Sequence, residues 1–279
     1  MPILSGMARV VGIAGWPVAH SRSPRVHGFW LRRYGIDGAY VPLPVRPGHF
    51  DTAMHGLAAA GFVGANVTIP HKLEAFALCD EMDDAARRTG AVNTLVFSNG
   101  RIKGSNTDGF GFIANLRDHR VDPAAGPALV LGAGGAARAV VASLAELGVR
   151  VTIANRSPAR AEALAAQFSG SRAVAWHLRS EVLRDHSLVV NTTPLGMGGH
   201  GGLELELELG DPTLVVADLV YSPLETPLLR AARRHGLHTV DGLGMLLHQA
   251  RPGFEAWFGV DATVDQELRK FVASDLIGE

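Results

Sequence analysis

The stretch Gly132-Ala133-Gly134-Gly135-Ala136-Ala137 constrains this chain more than any other. It follows the apolar run Ala128-Leu129-Val130-Leu131 and precedes an alanine-rich stretch ending at Leu147, so it reads as a strand-to-helix turn of the form GxGxxA. Each position has a physical reason. Gly132 permits a tight turn, Gly134 lets a pyrophosphate approach the backbone, and Ala137 lets helix and strand pack closely. The free amides that open the helix then face the anion. A glycine-rich turn without a ligand is the alternative. The flanking strand, the helix and the next strand Arg150-Val151-Thr152-Ile153-Ala154 fall at lengths that weigh against it.

The end of that next strand selects the cofactor. NAD sites place Asp or Glu there, about 20 residues on, to hold the ribose diol. This chain has Asn155-Arg156-Ser157 and then Arg160. No carboxylate repels a phosphate at that point, and a guanidinium donates two parallel hydrogen bonds to one. The expectation is NADP(H), held by Gly132, Ala133, Gly134, Gly135, Ala136, Asn155, Arg156, Ser157 and Arg160. The alternative, ordinary solvated arginines, is weaker for Asn155-Arg156 than for Arg160.

At 279 residues, with 47% hydrophobic and 19% charged residues, the chain is long and apolar enough for two domains. In the N-terminal half, Val10–Ala14, Ala39–Leu43 and Gly64–Ile69 read as strands alternating with helices, which predicts parallel sheets between helices. Ser98-Asn99-Gly100 between two strand-like runs predicts a hairpin. Leu188–Val190 and Leu214–Ala217 read as buried strands. Ser157 is the expected N-cap of the helix opening at Pro158. Thr263 and Gln266 have capping-box spacing before a C-terminal amphipathic helix. Leu203–Leu209, with Leu and Glu alternating, reads as a strand or a loop edge.

The net charge of -1 argues against nucleic acid or an anionic membrane as partner. No apolar run reaches the roughly 20 residues of a membrane span. Arg9 interrupts the N-terminal apolar stretch, so no signal peptide is expected. The single cysteine, Cys79, excludes an internal disulfide, fits a reducing compartment, and sits in an apolar run where an inert thiol is the ordinary reading. The 12 histidines show no metal-ligand spacing, and no metal is expected. His20 and His71 flank the polar motifs described next and read as structural.

Polar residues gather at the ends of the N-terminal strands. Ser21 and Ser23 lie beside a helix start at Pro24, a good carboxylate site, although Ser23 also reads as a plain N-cap. Asn66 and Thr68 are two apart, on one face of a strand. Lys72 falls in a first helical turn, where the dipole disfavours a cation, so its placement suggests a task. Asn93 and Asp108 add an amide and a carboxylate. Asp108 alternatively caps a helix from Gly109. Met245 and Gln249 share a helix face.

Taken together, Ser21-x-Ser23-Pro24, Asn66-Val67-Thr68-Ile69-Pro70-His71-Lys72, Gly90-Ala91-Val92-Asn93-Thr94 and Asn106-Thr107-Asp108-Gly109 resemble the shikimate dehydrogenase family. So do the glycine turn, Asn155-Arg156-Ser157, Asn191–Met197, Asp218-x-Val220-Tyr221-x-Pro223 and Gly242-x-Gly244-Met245-Leu246-x-x-Gln249. The match spans nearly the whole chain. It implies NADPH-dependent, reversible reduction of 3-dehydroshikimate to shikimate, in aromatic amino-acid synthesis, by a cytoplasmic enzyme acting as monomer or homodimer.

The resemblance further implies Lys72 and Asp108 as the catalytic pair. Ser21 and Ser23 would hold the substrate carboxylate, and Thr68, Asn93 and Gln249 the ring hydroxyls, with Asn66 and Tyr221 beside the substrate. Thr192 and Met197 would border the nicotinamide, with Gly242 closing the site. The implied fold is α/β: an N-terminal α/β substrate domain, residues 1–107 with 242–279, and a Rossmann-like, doubly wound parallel-sheet nucleotide domain, residues 108–241, with a cleft between.

Transfer of hydride to a ketone leaves an alkoxide that needs a proton, which a lysine ammonium supplies and a neutral lysine removes in reverse. Lys72 and Asp108 are read as a coupled pair without separate microscopic roles. Two alternatives stay open. One is a quinate or dual quinate/shikimate dehydrogenase, disfavoured by Ser23 and Asn155-Arg156. The other is a non-catalytic NADPH-sensing regulator on the same fold, which would be free to lose Lys72 or Asp108.

Overall fold

A computed structural model describes residues 3–198, 200–274 and 276. Met1, Pro2 and residues 277–279, the outer ends of the expected substrate domain, lie outside the described residues. The elements run β1 (Arg9–Gly15), α1 (Ser23–Arg33), β2 (Gly38–Pro44), α2 (Phe50–Ala59), β3 (Gly64–Val67), α3 (Lys72–Leu78), β4 (Glu81–Met82), α4 (Asp84–Thr89), β5 (Thr94–Ser98) and β6 (Arg101–Ser105). They continue as α5 (Asp108–Asp118), β7 (Ala128–Leu131), α6 (Gly135–Glu146), β8 (Val151–Asn155), α7 (Pro158–Ala165), β9 (Ser171–Ala175), β10 (Leu188–Asn191), β11 (Val215–Asp218), α8 (Pro227–Arg234), β12 (His238–Val240), α9 (Gly242–Phe258) and α10 (Gln266–Ala273). They form two compact units. One combines the residues up to Thr107 with Gln249–Val272, and the other combines Asp108–His248 with the stretch from Ala273. The division falls inside α9.

The second unit carries a six-stranded sheet in the order β12-β11-β10-β7-β8-β9, every pair parallel. Counted from β7, this is the doubly wound dinucleotide order, with the winding reversing between β7 and β10. Helices cover both faces, so β7 and the Leu188–Val190 run of β10 are apolar, and both strands are buried throughout. The Leu203–Leu209 alternation is not a strand. Leu203 and Leu207 are buried in the core beside Leu214 and Leu228, and only Leu207–Leu209 form a short 3₁₀ turn.

The first unit combines the expected parallel strands and the expected hairpin in one mixed sheet. Its sheet runs β2-β1-β3-β5-β6-β4, with β1 parallel to β2 and β3 but β5 antiparallel to both β3 and β6. The cause is local. Asn99 and Gly100 adopt φ of 53° and 72°, the left-handed pair that closes a tight hairpin, so β6 must run back along β5. Phe50, Met54 and Ala75 from α2 and α3 pack with Ala14, Ala65 and Val67 in one core cluster. A separate aromatic cluster joins α1 to α9, where Trp30 meets Phe254 at 5.2 Å between ring centroids.

The C-terminal helix is not capped by Thr263. Asp265 Oδ1 accepts from the Leu268 amide at 2.9 Å, and the same carboxylate pairs with Arg33 at 2.7 Å. Thr263 is engaged elsewhere, its carbonyl accepting from Trp30 Nε1 at 3.0 Å and its amide donating to Tyr34 Oη at 3.0 Å. Ser157 occupies the N-cap position of α7 without a side-chain capping bond. Cys79 Sγ donates to the Ala75 carbonyl at 3.1 Å, and burial pushes its thiol up to about 11, which keeps it un-ionised and poorly nucleophilic. No helix among the described residues is long and apolar enough to cross a membrane.

Candidate active site

In the second unit, the glycine turn joins β7 to α6. Gly132 has φ of 115°, and a Cβ there would lie 2.5 Å from Thr192 Oγ1, so both conformation and packing require glycine. Thr192 in turn donates to the Leu131 carbonyl at 2.7 Å, which fixes the loop after β10 against the turn. Gly134 and Gly135 differ from Gly132. Both are exposed, neither has positive φ, and a Cβ at either would meet nothing within 4 Å. Among the described residues, no group requires glycine there. Gly134 is the N-cap of α6 and offers no side-chain cap to the first amides of that helix. Open space before uncapped amides at a helix start fits a diphosphate. Ala137 is fully buried in the core beneath, as close helix–strand packing requires, while Ala133 and Ala136 are half-buried.

After β8, Asn155 Nδ2 donates to the Ser157 carbonyl at 3.0 Å and folds the loop that presents Arg156. Arg156 and Arg160 are exposed, and neither forms an ion pair among the described residues. Two free guanidiniums and a serine hydroxyl that caps nothing suit a phosphate monoester better than a ribose diol.

The loops after β10 and β11 are tied together by one buried carboxylate. Asp218 accepts from Asn191 Nδ2 at 2.9 Å, the Val220 amide at 3.0 Å and Thr226 Oγ1 at 2.7 Å. Burial nevertheless pushes its carboxyl up to about 6, against the opposing pull of those three bonds. Asn191 Nδ2 also donates to the Leu195 carbonyl at 3.0 Å, and its Oδ1 accepts from Thr193 Oγ1 at 2.7 Å. Met197 (41% exposed) and the half-buried Tyr221 lie on these two ordered loops. Gly242 opens α9 because a Cβ there would sit 2.3 Å from the Leu219 carbonyl.

In the first unit, Asn66, Asn93 and Gln249 form one hydrogen-bonded cluster. Asn66 Nδ2 donates to the Asn93 carbonyl at 3.1 Å and to Thr94 Oγ1 at 3.0 Å. Asn93 Nδ2 donates to Thr107 Oγ1 at 3.0 Å and to Gln249 Oε1 at 3.4 Å. Gln249 is held from its backbone as well, its carbonyl accepting from Thr107 Oγ1 at 2.8 Å. Lys72 is the first residue of α3, and its carbonyl accepts from the Val92 amide at 3.0 Å, which anchors the helix start beside Asn93. His71, fully buried before it, binds the Val45 carbonyl at 2.7 Å and stacks on Phe50.

Ser23 is not the N-cap of α1. Arg22 holds that position without a side-chain bond, and Ser23 is the first helical residue, its amide donating to Ser21 Oγ at 3.3 Å. The hydroxyl of Ser23 therefore has no capping duty. Asp108 likewise opens α5 itself instead of preceding it. Thr68 lies beyond the end of β3, and its methyl packs on Gly15.

Two buried residues of this cluster escape a reading of motifs. Thr107 bonds both Asn93 and Gln249, as the hydroxyl next to Asp108 in a quoted motif hinted. Tyr40 Oη donates to Asn66 Oδ1 at 2.6 Å. The only sequence signal for Tyr40 was a phenol within a buried strand, which must find a partner.

Two family models match the chain. The shikimate dehydrogenase substrate binding domain matches residues 13–95, and the shikimate / quinate 5-dehydrogenase model matches residues 118–194. A shikimate dehydrogenase (NADP(+)) of Acidiphilium cryptum is 63% identical, over 99% of this chain and 100% of the relative. That of Gluconobacter oxydans is 54% identical, over 98% of this chain and 99% of the relative. The crystal structure of the shikimate 5-dehydrogenase of Thermus thermophilus, in complex with NADP(H) and shikimate, superposes with a TM-score of 0.87 at 38% identity. It covers 96% of this chain and 99% of its own. On this full-length agreement of sequence and fold, the chain belongs to the shikimate dehydrogenase family.

Proposed function

We infer that the chain catalyses the NADPH-dependent, reversible reduction of 3-dehydroshikimate to shikimate, a step of aromatic amino-acid synthesis. The observation that carries this is the 63% identity to a shikimate dehydrogenase (NADP(+)) along 99% of the chain. The N-terminal unit takes the substrate and the doubly wound unit takes the nucleotide. The turn at Gly132–Ala136 receives the diphosphate, and Asn155, Arg156, Ser157 and Arg160 receive the 2′-phosphate. Thr192, Met197 and Gly242 line the nicotinamide end. Bound there, NADPH supplies the hydride.

The chain's own residues supply alignment and the proton. Ser21 and Ser23 hold the carboxylate, while Asn66, Thr68, Asn93, Tyr221 and Gln249 orient the ring. The Lys72 ammonium gives a proton from Nζ to the oxygen that was the ketone, so C=O becomes CH–OH with both hydrogens accounted for. In the reverse direction neutral Lys72 removes that proton. Asp108 completes the pair. The enzyme works in the cytoplasm, in keeping with its single cysteine, as a monomer or homodimer.

The test is NADPH oxidation with 3-dehydroshikimate, beside 3-dehydroquinate, NADH and Lys72→Ala. Turnover is expected with NADPH and 3-dehydroshikimate, falling about 10²- to 10⁴-fold in the variant. Protein that binds NADPH yet turns over no pair would overturn the reading and favour a nucleotide sensor. Faster turnover of 3-dehydroquinate would move the assignment to quinate.

A further inference from the structure

Tyr40 lies on β2 and Asn66 on β3, on opposite sides of β1, where Tyr40 pairs with Val11 and Asn66 with Ile13. The phenol therefore reaches across β1 to donate to Asn66 Oδ1 at 2.6 Å. The buried Ser23 side chain lies beside the same phenol. The ring is held flat against His27, with centroids 4.0 Å apart and planes 7° from parallel. Tyr40 and His27 are buried, and neither His27 nitrogen has a hydrogen-bond partner among the described residues. Burial raises the Tyr40 phenol well above its ordinary range and lowers His27 to about 3, so the pair stays neutral and the phenol remains a donor.

Asn66 has no spare capacity. Both protons of its amide go to Asn93 and Thr94, and its oxygen depends on Tyr40. Removal of the phenolic oxygen leaves a buried acceptor unpaired on Asn66, beside the Ser23 side chain. These are the two places where the substrate reading puts the ring and the carboxylate.

We propose that Tyr40 is a positioning residue of the substrate subsite, its phenol setting the Asn66–Asn93–Gln249 amide cluster beside Ser23. This rests on the assignment of Ser23 and Asn66 to substrate. Tyr40→Phe keeps the ring on His27 and deletes only the oxygen. The KM for 3-dehydroshikimate is expected to rise about tenfold, with the KM for NADPH unchanged. The increase is expected to shrink when Tyr40→Phe is introduced into Asn66→Ala, because Tyr40 acts through that side chain. A lower melting temperature with an unchanged KM for 3-dehydroshikimate would show a purely structural tyrosine and overturn the proposal. If Ser23→Ala and Asn66→Ala also leave that KM unchanged, the substrate assignment itself fails.

Discussion

Burial acts on Asp218 and His27 in opposite directions, and the acid response of the fold depends on both. Asp218 moves from 3.8 to about 6, so the folded chain binds this proton more tightly than the unfolded one. Its ionisation is a cost at neutral pH that is relieved as pH falls through about 6 towards 3.8, by about 1 kcal/mol at about pH 5. His27 moves from 6.5 to about 3, so the folded chain resists protonation. Its contribution is whole above 6.5 and is lost on acidification, by about 2 kcal/mol at about pH 5. Denaturant unfolding of the wild type, Asp218→Asn and His27→Phe at about pH 7.5 and about pH 5 separates the two. The wild type is expected to gain on Asp218→Asn and lose to His27→Phe on acidification. Differences that do not change with pH would refute both shifts. Neither role is legible in the sequence. His27 lacks any ligand spacing, and Asp218 belongs to a recognised motif that does not reveal its three donors. Gly132, by contrast, needs no tertiary partner to be read, because its turn is set by the strand and helix beside it.

Between elements, the contact of α5 with α9 is the most exacting. A Cβ on Gly244 would lie 1.8 Å from Asn115 Oδ1, and Asn115 Nδ2 donates to the Asp241 carbonyl at 2.7 Å. One helical turn from Gly244, His248 Nε2 meets Asp118 Oδ2 at 2.7 Å. In a helix interior Gly→Ala ordinarily stabilises by about 1 kcal/mol. Here the clash reverses the sign, and Gly244→Ala is expected to destabilise by about 1–3 kcal/mol. Asn115→Ala removes the obstacle, so the double variant is expected to lose less than the sum of the single losses in thermal or denaturant melts. Additive losses would show that Asn115 is not what excludes the methyl. The same contrast governs which elements the sequence discloses. The Asn99-Gly100 hairpin and the β7–α6 turn are written locally and were readable. The mixed order of the first sheet and the Asp265 cap depend on distant partners. Thr263 has capping-box spacing, yet Trp30 and Tyr34 claim it.

At the scale of the whole chain, the two units differ in how their parts are spread along the sequence. The second is built mainly on the segment Asp108–His248, joined only by the short stretch from Ala273, whereas the first needs Gln249–Val272 to return to residues before Thr107. That return is not decorative. Trp257 Nε1 donates to the Leu95 carbonyl at 2.9 Å, and a Cβ on Gly64 would lie 2.1 Å from the same indole nitrogen. Arg9 Nη1 donates to the Trp257 carbonyl at 3.0 Å. Phe271 reaches Phe29 at 5.2 Å between centroids. Without these residues one face of the first sheet loses its aromatic cover, and a large apolar surface meets water. Closing a loop as long as the second unit is entropically tolerable, since the penalty grows only with the logarithm of length. It does delay the contacts that complete the first unit until the chain's end is available. A fragment spanning Asp108–His248 is therefore expected to melt cooperatively alone and to bind NADPH, read by circular dichroism and by fluorescence titration. A fragment ending at Thr107 is expected to show no cooperative melt until a peptide spanning Gln249–Val272 is added. A cooperative transition in the N-terminal fragment by itself would mean that the aromatic return only decorates a sheet already stable. Failure of the peptide to restore a melt would mean that the first unit needs more of the chain than its own residues.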